Sequence, residues 1–406
     1  MKVLYFTNEY PPLVYGGAGV HIEFLSREMA RLVDVEVRCY GDQDSQEGRL
    51  RVKGFQPRDA YAHSPKELRS VWTTLDRDLG FVGMGVDAQL VHCHTWYTHM
   101  AGIWAKLNYS IPLVLTTHSL EPLRPWKREQ LGGGYDFSCW VERTAIEMAD
   151  GLIAVSRETK ADILNHFKVS PDKIRIIHNG IDIATFRKTP ERGLLERFGL
   201  GAQPYVLFVG RITRQKGIIH LVNAIPQIDP TVPVVLCAGA PDTPEIAKEM
   251  QEGVERVSAQ RGNVIWIREM VDRPTLIQLY SHAGVFCCPS IYEPFGIINL
   301  EAMACEVPVV ASAVGGIPEV VVHDETGLLV KLEQMKASPF EALDPARYAA
   351  DLAAAINSLI RDPARRLAMG RKGRQRVEAH FSWASIAQQT LAYYQEILAA
   401  KEAGTR

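Results

Sequence analysis

Short apolar runs separated by amphipathic stretches organise this chain from its first residues. Lys2 to Thr7 (KVLYFT) is apolar with β-branched and aromatic members, which predicts a buried strand. Two loop-like segments, NEYPP and VYGGAGV, part it from HIEFLSREMARL, where Ile22, Leu25, Met29 and Leu32 recur at the spacing of one helix face. VDVEVRCY reads as a second strand. LVHCHT, PLVLTTH and GLIAVS repeat the pattern, with helical stretches such as SRETKADILNHF between them. Strands alternating with helices predict a mostly parallel sheet covered on both faces.

Around IDIATFRKTPERGLLERFGLGAQP the apolar runs stop and charge, Gly and Pro take over, which marks a domain junction. YVLFVGRITRQKG then opens a second series: strand, loop, helix IIHLVNAI, and the strands PVVLCAG, VIWI and GVFCCPS. The expectation is α/β, with one domain over residues 1–188 and a second over 189–382. The tail FSWASIAQQTLAYYQEILAAKEAGTR carries a helix pattern. Ligands of open parallel sheets bind beyond the carboxyl ends of the strands, so two such domains facing each other would make one cleft.

Composition narrows the function classes. A chain of 406 residues suits two domains with real cores, and 47% hydrophobic with 23% charged residues is ordinary for a globular protein. A net charge of -2 gives no general reason to expect nucleic acid or an anionic membrane as partner. No run of about eighteen apolar residues suggests a membrane span. MKVLYFTNEYPP enters a strand-like run directly, without the apolar stretch of a signal peptide. Seven cysteines without a CxxC pair fit a reducing compartment, so a cytoplasmic location is expected. Cys93 and Cys287-Cys288, in apolar strand runs, read as core residues.

Chemistry is expected in the loops after strands. VGRITRQKG supplies Arg211 and Lys216, two cations that can hold a diphosphate without a metal; solvated loop charge is an equal alternative. YGGAGV places Gly16 and Gly17 at a helix start, where backbone N–H groups approach anions closely, or where the chain merely turns. SIYEPFGIINLEAMA raises a harder question, because Glu293-Pro294 stands where a helix should begin and Glu301 follows in the apolar run. A helix start is a natural anion site, so glutamates at a spot suited to phosphate mean either a site that holds no anion or carboxylates that grip another part of the same ligand. A glycosidase pair is one answer, but eight helical residues rise about 12 Å, against about 5–9.5 Å between such carboxylates. The better answer is that the glutamates accept hydrogen bonds from sugar hydroxyls at opposite ends of an elongated ligand, with its phosphate between them. His118 lies just past a strand end, where a lone histidine is more often structural than catalytic. His92, His94 and His99 in HCHTWYTH also read as structural, since no carboxylate lies near in sequence to complete a metal site.

Taken in order, YGGAGV, THSLEPLRPWK, VGRITRQKG and the E-x7-E of EPFGIINLE resemble the GT-B glycosyltransferases of family four over nearly the whole chain. Within that family the resemblance is to the bacterial glycogen synthase and α-maltose-1-phosphate synthase group. It implies two Rossmann-like domains facing across a cleft, with the helix 383–406 packed back on the first. It implies a retaining glucosyltransferase that uses ADP-glucose or UDP-glucose and elongates an α-glucan or glucose 1-phosphate through an α-1,4 bond. Arg211 and Lys216 would bind the donor diphosphate, and Gly16 and Gly17 would close over it. Glu293 would contact the donor glucose beside the amides of Phe295 and Gly296. Glu301 would take the ribose hydroxyls, and His118 would lie by the transferred glucose. Glu9, Arg124, Trp126 and Lys127 are acceptor-side candidates. Thr95 stands where many glycogen synthases have an aspartate, which leaves the acceptor more open than the donor. No cofactor or metal is expected, and a homo-oligomer is among the states the sequence allows. Two other classes stay open: a glycoside hydrolase, and a non-catalytic nucleotide-sugar or glucan binder.

Overall fold

The computed structural model describes residues 1–14, 16–58, 61–336 and 340–404, with the side chain of Gln130 left aside. The chain divides into two units, Met1–Gly180 with Trp383–Arg406, and Ile181–Ser382. The first unit thus ends at Gly180, not at residue 188, and residues 405 and 406 of the expected tail helix lie outside the described residues.

The first unit is built on β1 (Lys2–Thr7), β2 (Asp34–Tyr40), β3 (Asp44–Glu47), β4 (Leu50–Phe55), β5 (Leu90–Cys93), β6 (Leu113–Thr117), β7 (Gly151–Ala154) and β8 (Ile174–Ile176). Among the described residues they form one sheet in the order β3-β4-β2-β1-β5-β6-β7-β8, parallel except for the β3–β4 pair. β1 runs Lys2↔Asp34 to Thr7↔Cys39 against β2 and pairs β5 on its other side, so the order reverses at β1. β3, β4 and β8 carry little of the apolar run that marks the others; β3 is exposed along its length, and its pattern gives no strand signal.

The second unit contains β9 (Val206–Arg211), β10 (Val234–Gly239), β11 (Val264–Ile267), β12 (Val285–Cys288), β13 (Val309–Ser312) and β14 (Gly327–Val330). Their order is β11-β10-β9-β12-β13-β14, all in parallel. Here the reversal falls between β9 and β12. Loops leaving adjacent strands in opposite directions open a crevice at that point, the usual ligand position in such sheets.

Each unit has its own core. In the first, Val3, Tyr5 and Val35 of the sheet pack with Ile22, Leu25 and Met29 of the helix Gly17–Ala30. Trp383, Ile386, Ala387, Tyr393 and Tyr394 of the helix Trp383–Gly404 complete it. Trp383 lies so close to Gly180 that a Cβ there would meet its ring at 2.6 Å. In the second unit, β9 and β10 pack through Phe208 and Leu236 onto Leu221, Met250 and Ile356. Cys93, Cys287 and Cys288 are buried thiols within these layers. Among the described residues no helix is long and apolar enough to cross a membrane.

Candidate active site

In the second unit the candidate residues gather where the strand order reverses. Arg211 ends β9, and its guanidinium donates to the carboxylate of Asp242, whose side chain is 5% exposed. Lys216 follows in the same loop, with Nζ 2.7 Å from Oε2 of Glu293, just beyond β12. Glu293 is only 5% exposed, and Ser290 Oγ donates to the same oxygen at 3.3 Å. The two loops are stitched together by Ile291 N donating to Gln215 O at 3.0 Å. Close approach is enforced by Gly217, at φ 59°, where a Cβ would lie 2.1 Å from the Pro289 carbonyl.

The helix expected to open at Glu293-Pro294 begins later, at Ile297, with Gly296 before it at φ 91°. A left-handed residue breaks the helical path, so Glu293, which precedes Gly296, sits on a loop rather than in a first turn. The 12 Å helical rise therefore does not separate the two glutamates, because the helix contains only the second. Phe295 is buried, edge-on to Phe381. Glu301 lies inside the helix, 7% exposed, and accepts a hydrogen bond from Tyr280 OH at 2.9 Å. Burial pushes its carboxyl up to about 7, against the opposing pull of Tyr280, Arg273 and Lys216.

A loop that sequence reasoning passed over holds Glu293 in place. Gly316 N donates to the Glu293 carbonyl at 2.9 Å, and Gly315 has φ 56° with room for no Cβ, which would fall 2.0 Å from that oxygen. The signal was present in AVGGIPE, a Gly-Gly pair between a strand and a short helix, but only the fold brings it behind Glu293. Asp242, Tyr280 and Ser290 were likewise missed, since each is an ordinary residue until its partner is known.

In the first unit the same logic applies at the carboxyl ends of β1, β5 and β6. Glu9 is buried, and Oε2 accepts from Gly16 N at 2.8 Å. It braces the glycine loop: a Cβ on Gly19 would sit 2.6 Å from Oε2. The geometry thus ties Glu9 to the glycine loop, with the Gly16 N–H pointing at its carboxylate.

His118 follows β6 and is half-buried. Its Nε2 lies 3.1 Å from His94 Nδ1, and its ring meets His21 edge-on at 4.7 Å between centroids. His92 and His94 do share a face, with ring centroids 4.1 Å apart. His92 is structural, its nitrogens bonded to Tyr394 OH at 2.5 Å and Thr116 Oγ1 at 2.8 Å. His99 is also buried, and burial lowers its ring to about 3. Loss of water, then the neighbouring rings, hold His94 and His118 well below the usual histidine range, and burial takes His21 to about 4. All three rings are therefore neutral at physiological pH.

Arg124 is half-buried, with Nη1 3.0 Å from Ser119 Oγ and 3.7 Å from Glu121 Oε1. Its Nε is buried with no hydrogen-bond partner among the described residues. Trp126, on the turn Pro125–Lys127, is only 7% exposed. Lys127 is half-buried on the same turn, and Arg128 is engaged by Asp136 at 3.0 Å.

The family described as Glycosyltransferase Family 4 matches residues 15–185, and Glycosyl transferases group 1 matches residues 196–339. The alpha-maltose-1-phosphate synthase of Mycolicibacterium smegmatis is 48% identical over 98% of this chain and 100% of its own. A glycogen synthase of Mycobacterium tuberculosis is 29% identical over 99% of this chain and 95% of its own. The sucrose-phosphate synthase of Thermosynechococcus elongatus superposes with a TM-score of 0.80 at 27% identity, over 98% of this chain and 100% of that structure.

Proposed function

This chain belongs to glycosyltransferase family 4, and we propose that it moves glucose from ADP-glucose or UDP-glucose onto glucose 1-phosphate or an α-glucan. The product bond in this reading is α-1,4, with configuration retained. Glycosyl transfer itself and the GT-B fold follow from the relatives. The observation that carries the donor assignment is the Lys216–Glu293 pair, 2.7 Å apart at the reversal point of the second sheet, with Arg211 in the same loop.

Breaking the bond between the anomeric carbon and the diphosphate oxygen leaves negative charge on the phosphate and positive charge on the sugar. Fixed cations act strongly on the first because they need no reorganisation as charge develops. Lys216 and Arg211 take that part, and no metal is needed for it. Glu293, anchored through its carbonyl and carboxylate, takes the sugar hydroxyls, while Glu301 takes the ribose. No side chain here is assigned as a covalent nucleophile. The acceptor hydroxyl oxygen bonds to the face the diphosphate leaves, and its proton passes to the departing phosphate oxygen.

Two features favour glucose 1-phosphate as acceptor: the names carried by the relatives at 46–48% identity, and the Arg124 Nε without a partner near His118. Guanidinium matches a phosphate better than a neutral sugar. The test is incubation of the purified protein with ADP-glucose or UDP-glucose and each acceptor, with products identified by mass and phosphorus NMR. A disaccharide phosphate is expected. Free glucose without nucleotide release would make the protein a hydrolase, tight donor binding without turnover a binder, and extension of glucan alone a glucan synthase.

A further inference from the structure

We propose that His21, His94 and His118 form a binding site for a transition-metal ion of the zinc class, and that its occupation silences the enzyme. The three residues come from the helix Gly17–Ala30, from the loop after β5 and from the loop after β6, and one nitrogen from each lies within 4.8 Å of the others. Tetrahedral zinc with bonds of about 2.0–2.1 Å sets its nitrogens about 3.3 Å apart. The His94 Nδ1 to His118 Nε2 separation, 3.1 Å, already has that spacing, so only His21 must shift.

His21 carries the second, independent sign. Its Nδ1 is held 2.6 Å from Asn179 Oδ1, and an amide oxygen can only accept, so the proton sits on Nδ1. The opposite nitrogen, Nε2, therefore presents a lone pair, and it is buried with no hydrogen-bond partner among the described residues. A histidine whose far nitrogen is fixed by an oxygen while the near one stays open has the arrangement common among metal ligands. His94 Nδ1 and His118 Nε2 face each other, and neutral imidazole exists in either tautomer, so both can offer lone pairs to an ion; the far His94 Nε2 is buried without a partner among the described residues. His118 is the half-buried member, which leaves a fourth position on its side for water or an anion. Three histidines and an open position suit zinc, whereas magnesium and calcium prefer oxygen.

This goes beyond the reading of the transferase as metal-independent and does not oppose it: the ion is an inhibitor, not a cofactor. Only the inhibition rests on that reading, through the place of His118 beside the transferred glucose. Tag-free protein should bind one Zn²⁺ per chain by calorimetry and give the intense visible absorption of tetrahedral cobalt with Co²⁺. His21→Gln should weaken zinc by 10-fold or more, and Asn179→Ala by about 10-fold through loss of the orienting oxygen. Circular dichroism serves as the check on folding for both. Equal zinc affinity in the folded His21→Gln variant and the parent, or a weak octahedral cobalt spectrum, overturns the site. Zinc should also abolish turnover, with EDTA restoring it and Mg²⁺ having no such effect. Zinc bound at this site with turnover intact would leave the site standing and overturn the role of His118 in the reaction.

Discussion

Glu301→Gln should make the protein more stable at alkaline pH while weakening its grip on the donor. The carboxyl is 7% exposed inside an apolar helix and titrates near 7, against an ordinary value of 4.5. A raised folded value means that its stabilising contribution is complete at low pH and is lost as pH rises through about 7. Integrating between pH 5 and pH 8 with 1.36 kcal/mol per unit gives a loss of about 2.5 kcal/mol. For a unit of roughly 200 residues that corresponds to about 5–10 °C in Tm. Glutamine resembles the protonated form, so the variant escapes this loss. Differential scanning calorimetry at pH 5 and pH 8 checks it: the Tm difference, variant minus parent, should grow by about 5–10 °C between the two. In parallel, the KM for the nucleotide sugar should rise as pH falls below 7, because the ribose hydroxyls need the carboxylate, and the variant should lose that slope. A Tm difference that does not change with pH would refute the burial argument. An unchanged donor KM would refute the ribose assignment.

Lys216→Ala and Arg211→Ala should each lower kcat/KM by about 10²–10³, the size expected when a preorganised donor to developing charge is lost; near-normal steady-state kinetics in both would remove the diphosphate assignment. Turnover should survive exhaustive EDTA treatment, and activity restored only by Mg²⁺ or Mn²⁺ would contradict the two-cation mechanism. Arg124→Ala should raise the KM for glucose 1-phosphate and spare that for the donor, as separate substrate titrations can show. Gly315→Ala should cost about 1–3 kcal/mol in urea unfolding and reduce kcat, because its φ of 56° and the Glu293 carbonyl at 2.0 Å leave no place for a Cβ.

The hydrophobic pattern alone was enough for two parallel-sheet units, because strands covered on both faces must be apolar throughout, and runs such as KVLYFT and YVLFVG show it. It also marked Arg211 with Lys216 and Glu293 with Glu301 as candidates, since ligands of such sheets bind beyond the carboxyl ends of the strands and each pair is near in sequence. It failed at β3, whose exposed residues carry no period, and at the start of the helix before Glu301, where a left-handed Gly296 delays the first turn to Ile297. Tertiary structure decided the rest. Glycines at 315 and 316 fix a glutamate at 293, Tyr280 reaches Glu301, and Asp242 takes Arg211. Trp126 turns inward, and Glu9 braces the glycine loop. His21, His94 and His118 converge although 97 positions of sequence separate the first from the last. Each of these depends on which strand lies beside which. That order is set by how the helices and sheet bury their apolar faces together, a choice made by the whole chain and written in no single stretch of it.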